Sequence, residues 1–196
     1  MSAVPVTVAP PALELDELQV AFDVRGRPRR VLRGVSLAIG AGEAYGLVGE
    51  SGCGKSTAAL AVMRYLPRNG RVTGGAIRVG GVDLGGMSEG EVRRYRASAV
   101  SMVYQNPGAA LNPSIRIGDQ VEEAFTAAGA PRGDALERAR EMLTRVQIAD
   151  PARVMRRYPH QLSGGMQRRT VIAMALAPDP TLLVRDEPTT GRDATV

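Results

Sequence analysis

The stretch Gly49-Glu50-Ser51-Gly52-Cys53-Gly54-Lys55-Ser56 decides how this sequence folds. It fits the spacing G-x-x-x-x-G-K-[ST]. Glycines at these positions let backbone N–H groups converge on phosphate oxygens with no Cβ in the way. The apolar run Glu43–Gly49 ahead of it (EAYGLVG) reads as a buried strand. The segment behind it, STAALAVMRYL, lacks internal Gly and Pro and stops at Pro67, so it reads as a helix. The loop therefore opens a helix whose N-terminal dipole favours anions. Lys55 is placed to set its ammonium against the outer phosphates, and Ser56 to offer a hydroxyl to Mg²⁺. Gly49, Glu50, Ser51, Gly52, Cys53, Gly54, Lys55, Ser56 and Thr57 are thus the candidate polyphosphate-binding residues. With this composition, chance produces the motif in about one such chain in a thousand. Lys55 is the only lysine among 25 basic residues; an arginine would bring a broad planar fork where a compact charge is needed. Cys53 fills a free position, where a thiol beside a cationic loop is open to alkylation.

The rest of the composition narrows the class. The chain has 196 residues, 44% hydrophobic and 23% charged, enough for one full domain or one domain and part of another. No run approaches the roughly 18–20 apolar residues of a membrane span. The first dozen residues, rich in Ala, Val and Pro, read as a loose leader without the charged and apolar regions of a secretory signal. One cysteine and one histidine, His160, exclude an internal disulfide and a multi-cysteine or His-cluster metal site. The net charge of +5 comes from arginines scattered over most of the chain, which fits a general Arg bias better than a nucleic-acid footprint.

Outward from the glycine-rich loop, short apolar runs between Leu13 and Ile39, split by the turn-like DVRGRPRR, predict antiparallel strands. Gly74–Leu84 reads as a further β element, and Ala99–Tyr104 and Thr181–Arg185 as buried strands. A loop from Asn106 to Pro113 is followed by helices at Asp119–Ala128, Asp134–Ile148 and Met166–Ala177. Asp134 and Glu137 have capping-box spacing, and Leu136, Ala139, Leu143 and Val146 form one apolar stripe. Tyr45 and Tyr65 read as core or strand residues. Strands alternating with helices, with a helical block between two strand–loop motifs, make this an α/β core with a helical insertion.

The strand Thr181–Arg185 runs into Asp186 and Glu187. Adjacent carboxylates on an extended chain point to different sides. One can face Mg²⁺ while the other polarises a water, the division of labour that nucleotide hydrolysis requires.

Together with Leu162-Ser163-Gly164-Gly165-Met166-Gln167, these residues resemble the nucleotide-binding subunit of ATP-binding cassette (ABC) transporters over about residues 13 to 196. The resemblance implies a P-loop NTPase fold: a RecA-like core with an antiparallel β subdomain (13–105 and 170–196) and a helical signature subdomain (106–169). Leu162–Gln167 resembles the signature motif, which in that family closes over ATP held by a partner subunit. Gln105 resembles the Q-loop glutamine, which touches Mg²⁺ and water. Glu187 then activates water, and Ser56, Gln105 and Asp186 serve Mg²⁺. Phe22 resembles the aromatic residue that stacks on adenine, and Asp193 the D-loop aspartate. His160 lies just ahead of the signature and is not the family's switch histidine. The cofactors implied are ATP and Mg²⁺.

VYQNPGAALNP, YPHQLSGGMQRR and DEPTTGRDATV are similar to the oligopeptide, dipeptide and nickel importer ATPases. This implies a peripheral subunit at the cytoplasmic face of a membrane. Its partners are a second cassette subunit, identical or not, permease subunits and, indirectly, a substrate-binding protein, with no nucleic acid. The alternatives are a soluble cassette ATPase acting on nucleic acid or ribosomes, and a non-catalytic ATP-binding remnant. The sequence departs from the family at Arg185, where a small apolar residue is usual, and at Gly191-Arg192-Asp193. A guanidinium at Arg185 must find a carboxylate or reach water. The family's switch histidine and further strands follow the point matching Val196, so turnover by these 196 residues alone is expected to be weak.

Overall fold

The computed structural model describes residues 9–50, 52–103 and 110–185. The chain divides into two compact units at Val92/Arg93.

The first unit is built on β1 (Leu13–Val24), β2 (Arg27–Ile39), β3 (Gly70–Val79) and β4 (Val82–Asp83), antiparallel in the order β2-β1-β3-β4. Arg25 and Gly26 form the two-residue β1–β2 turn, both with positive φ (56° and 75°), the twist that a tight hairpin requires. The apolar phase of β1 changes partway: Leu13 and Leu15 are buried, then Leu18 and Val20. A strict two-residue period would turn one of these pairs to solvent. A bulge between Leu15 and Leu18, with Glu17 at φ 47°, absorbs the extra residue and keeps both pairs inside. Gly75 faces that bulge, and a Cβ there would lie 2.3 Å from the Glu17 carbonyl oxygen. Ala12 is buried and accepts a hydrogen bond from the Gly80 N–H at 3.2 Å.

Helix α1 (Lys55–Val62) follows the glycine-rich loop and buries Ala58, Ala61 and Val62. It ends earlier than the sequence pattern suggests, because Arg64 takes a left-handed conformation at φ 53°. Two expectations fail here. Glu43–Gly49 forms no strand and is exposed throughout, with Val48 at 97% exposure. Tyr45 and Tyr65 are also exposed, at 53% and 61%. An apolar run becomes a buried strand only when neighbouring strands supply backbone partners and cover its faces, and no described strand pairs with 43–49.

Helix α2 (Glu89–Ser98) was not foreseen, although its start is legible. Ser88 and Glu91 cap it reciprocally: the Glu91 carboxylate accepts from the Ser88 N–H at 2.8 Å, and the Ser88 hydroxyl accepts from the Glu91 N–H at 3.4 Å.

The second unit pairs β5 (Val100–Val103) with β6 (Leu182–Arg185) in parallel, Val100 opposite Leu182 and Val103 opposite Arg185. A parallel pair needs a long crossover. Here it contains α3 (Ile117–Ala127), α4 (Arg132–Arg145), α5 (Pro151–Met155), a 3₁₀ turn at Pro159–Gln161 and α6 (Gly164–Leu176). Their core joins Ile117, Val121 and Phe125 to Ala135, Ala139, Leu143 and Ala173. The small alanines of α4 allow close helix approach.

The apolar face of α4 is Ala135, Ala139, Met142 and Leu143, while Leu136, expected in the stripe, is 53% exposed. The capping box expected from Asp134 and Glu137 does not form. Pro131 is the N-cap, and Asp134 lies inside the first turn, its N–H donating to the Pro131 carbonyl at 3.0 Å. A left-handed Gln147 (φ 60°) lies just beyond the helix end. Arg185 is exposed, so its guanidinium reaches water.

Candidate functional site

The glycine-rich loop belongs to the first unit. Gly54 is the N-cap of α1 at φ 102°, and Gly52 has φ 84°. At Gly54 the conformation and the space both exclude a side chain: a Cβ would lie 2.6 Å from Leu32 Cδ2. A Cβ on Gly49 would sit 3.0 Å from Cys53 Sγ. With glycine as N-cap, no side chain caps the first turn of α1. A helix start of this kind, with its positive dipole end at a glycine turn, favours an anion.

Lys55 is the first residue of α1, and its side chain turns back over the loop. Nζ donates to the carbonyl oxygens of Gly49 at 2.7 Å and Glu50 at 2.8 Å, and lies 3.6 Å from Cys53 Sγ. The ammonium thus draws both ends of the loop toward one centre. Ser56 follows on the exposed start of α1, and Thr57 is half-buried. A glycine-rich turn at a helix start, with a single ammonium folded over it, suits a polyphosphate.

Leu162–Gln167 belongs to the second unit and divides into an anchor and a presented part. Leu162 is buried. Gln167 Nε2 donates to the carbonyl oxygens of Pro159 at 2.9 Å and Leu162 at 3.4 Å, tying the first turn of α6 to the segment before it. Ser163 is the N-cap of α6, its hydroxyl accepting from the Met166 N–H at 3.3 Å. Ser163, Gly164 and Gly165 are exposed, with open space where either glycine would carry a Cβ. The helix begins two residues before the expected Met166, because Ser163 is a better cap than the glycines after it.

Phe22 lies in β1 opposite Arg29 and Gly70. It is half-buried, its ring against Gly70, where a Cβ would meet Cε1 at 2.8 Å. Ser51, Gln105, Asp186, Glu187 and Asp193 lie outside the described residues. The described residues contain no cluster of His, Cys, Asp or Glu suited to a metal ion.

Gln120, missed in the sequence, organises the approach to α3. It is 4% exposed. Its Oε1 accepts from the Asn112 N–H at 2.9 Å, and its Nε2 donates to the carbonyls of Asn112 at 3.0 Å and Ile115 at 2.8 Å. A buried polar side chain must be satisfied in this way, but no sequence pattern marks which glutamine will be.

Comparison with known proteins agrees with this geometry. Residues 32–190 match the ABC transporter family model. The chain belongs to the ABC transporter family. It is 43% identical over 186 residues to the probable peptide ABC transporter ATP-binding protein y4tR of Sinorhizobium fredii, covering 94% of this chain and 56% of that one. It is 44% identical to the oligopeptide transport ATP-binding protein OppD of Mycobacterium bovis, covering 95% and 31%. With the dipeptide transport ATP-binding protein DppD of Bacillus subtilis the identity is 42%, covering 94% and 56%. The chain thus spans from 31% to 56% of the length of these relatives.

Among solved structures, the ATP-binding cassette MJ0796, a dimer in a post-hydrolysis state bound to ADP and Pi, superposes with a TM-score of 0.75 at 26% identity, covering 93% of this chain and 76% of that one. CbiO1 of Clostridium perfringens, part of the ABC transporter complex cbiONQ, gives 0.77 at 26% identity, covering 94% and 68%. The fold is that of the P-loop NTPase cassettes. No helix among the described residues is long and apolar enough to cross a membrane.

Proposed function

We propose that this chain is the nucleotide-binding part of an ATP-hydrolysing subunit that energises an ABC importer of peptides. The observation that carries the reading is Lys55 folded onto the Gly49 and Glu50 carbonyls at the glycine-led start of α1. ATP binds with its phosphates against the backbone N–H groups of the loop and the Lys55 ammonium. Ser56, Gln105 and Asp186 would hold Mg²⁺, which would offset the charge of the phosphates, and Glu187 would polarise the attacking water. Phe22 stacks on adenine. Ser163, Gly164 and Gly165 present the start of α6 to nucleotide held by a second cassette subunit, and Asp193 serves as the D-loop aspartate. Leu162, Met166 and Gln167 hold the presented residues in place. The relatives' names support peptides as cargo, and the dimeric cassette bound to ADP and Pi supports action as a pair. Attachment to permease subunits places the protein at the cytoplasmic face of a membrane.

The test is ATP-dependent pairing of the complete protein, followed by sedimentation with Glu187→Gln to block turnover. A dimer that forms with MgATP and is lost on Gly164→Asp supports the reading. A monomer at saturating MgATP contradicts it.

A further inference from the structure

The segment around α5, between α4 and the 3₁₀ turn, carries a basic cleft that the nucleotide reading does not use. An open cleft of about 500 Å³ is lined by Asp150, Ala152, Arg153, Arg156, Arg157 and Gln161. That volume is in the range of small-molecule sites.

Arg153, Arg156 and Arg157 stand at i, i+3 and i+4, the spacing that gathers side chains on one side of a helical turn. Their backbone is fixed: the Arg156 N–H donates to the Arg153 carbonyl at 3.3 Å and the Arg157 N–H to the Val154 carbonyl at 2.9 Å. The Arg157 carbonyl in turn accepts from the Ile117 N–H at 2.8 Å, which ties the turn to α3.

The lining of the cleft holds three arginines and one carboxylate residue. That carboxylate is engaged elsewhere, since Asp150 Oδ1 accepts from the Arg153 N–H as the cap of α5. None of the three arginines forms an ion pair with a described residue. Guanidinium forks match the oxygens of a phosphoryl group, and several can share one.

We infer that this cleft binds a phosphate-bearing anion, through the guanidiniums of Arg153, Arg156 and Arg157. The inference does not depend on ATP binding at Lys55. Gln161 also lines the cleft; its Oε1 accepts from the Tyr158 N–H at 2.9 Å, and it directly precedes Leu162. An occupant therefore touches the segment that leads into Ser163.

Two arms of one experiment test it and separate the sources of phosphate. Inorganic pyrophosphate is titrated calorimetrically into the full chain carrying Lys55→Ala, which weakens the competing loop. In parallel, the same chain is sedimented with vesicles containing phosphatidic acid. Binding in either arm that falls at least tenfold in Arg153→Gln/Arg156→Gln, and not in Arg168→Gln on α6, supports the site; the arm identifies the source. Should the glutamine pair fail to fold, Arg153→Lys/Arg156→Lys is used, with binding weakened severalfold but still salt-sensitive. Absence of binding in both arms, or equal losses in Arg168→Gln and the cleft variants, overturns it.

Discussion

Gln167 Nε2 donates to the carbonyl oxygen of Pro159 at 2.9 Å, linking the first turn of α6 to the 3₁₀ turn that precedes Leu162. The same amide reaches the Leu162 carbonyl at 3.4 Å. The exposed Ser163, Gly164 and Gly165 are therefore mounted on a fixed base. Gln167→Ala removes both bonds and leaves two carbonyls to find water, a loss of about 1–3 kcal/mol. In a chain of this length that lowers Tm by roughly 2–4 °C per kcal/mol. Scanning calorimetry is expected to show that shift, with MgATP-dependent pairing weakened alongside.

Gly54 and Gly52 separate conformational strain from steric strain in the phosphate loop. Both have positive φ, but a Cβ at Gly54 meets Leu32 while one at Gly52 meets nothing within 4 Å. Gly52→Ala is expected to cost about 1–2 kcal/mol from the left-handed conformation alone. Gly54→Ala adds the displacement of Leu32 and costs more. Urea denaturation of the two variants should rank them in that order.

Cys53 offers a chemical probe of the same loop. Its Sγ is 3.6 Å from Lys55 Nζ, and the residue is exposed. Treatment with N-ethylmaleimide is expected to reach this only cysteine and abolish nucleotide binding, because the adduct fills the space before the loop. Mass spectrometry should show MgATP slowing the reaction, and Cys53→Ser should bind ATP regardless of treatment.

Tyr95 gives a pH signature. Its side chain is buried in α2, and burial raises its phenol well above the ordinary 10.0, only partly opposed by the Arg96 charge. The native state therefore keeps this proton after the unfolded state has begun to lose it. Stability tied to Tyr95 is intact below pH 10 and falls as pH climbs beyond it, by about 1.4 kcal/mol per unit. Urea denaturation between pH 8 and 11 should fall more steeply in the wild type than in Tyr95→Phe.

The parts of this fold governed by local rules were legible in the sequence. The β1–β2 hairpin follows from apolar runs around Arg25-Gly26, and α6 from the helical pattern that ends before Pro178. The phosphate loop follows from its glycine spacing. The parts that depend on partners were not legible. Glu43–Gly49 has the composition of a buried strand but pairs with no described strand. Leu136 carries an apolar side chain on a side of α4 that no described residue buries. Gln120 and Gln167 are polar residues whose roles come from carbonyls brought near them by the fold. Local signals also compete: at α4 the helix starts from Pro131, ahead of the Asp134 cap pattern, while at α2 Ser88 and Glu91 mark the start within a short polar stretch.

In the proposed function, the Lys55 ammonium and the backbone around it hold the phosphates of ATP. Calorimetric titration of MgATP into wild type and Lys55→Ala tests it most directly. Loss of charge-assisted hydrogen bonds worth about 1.5–3 kcal/mol predicts an affinity lower by roughly ten- to a hundredfold in the variant. Equal affinity in the two proteins would contradict it.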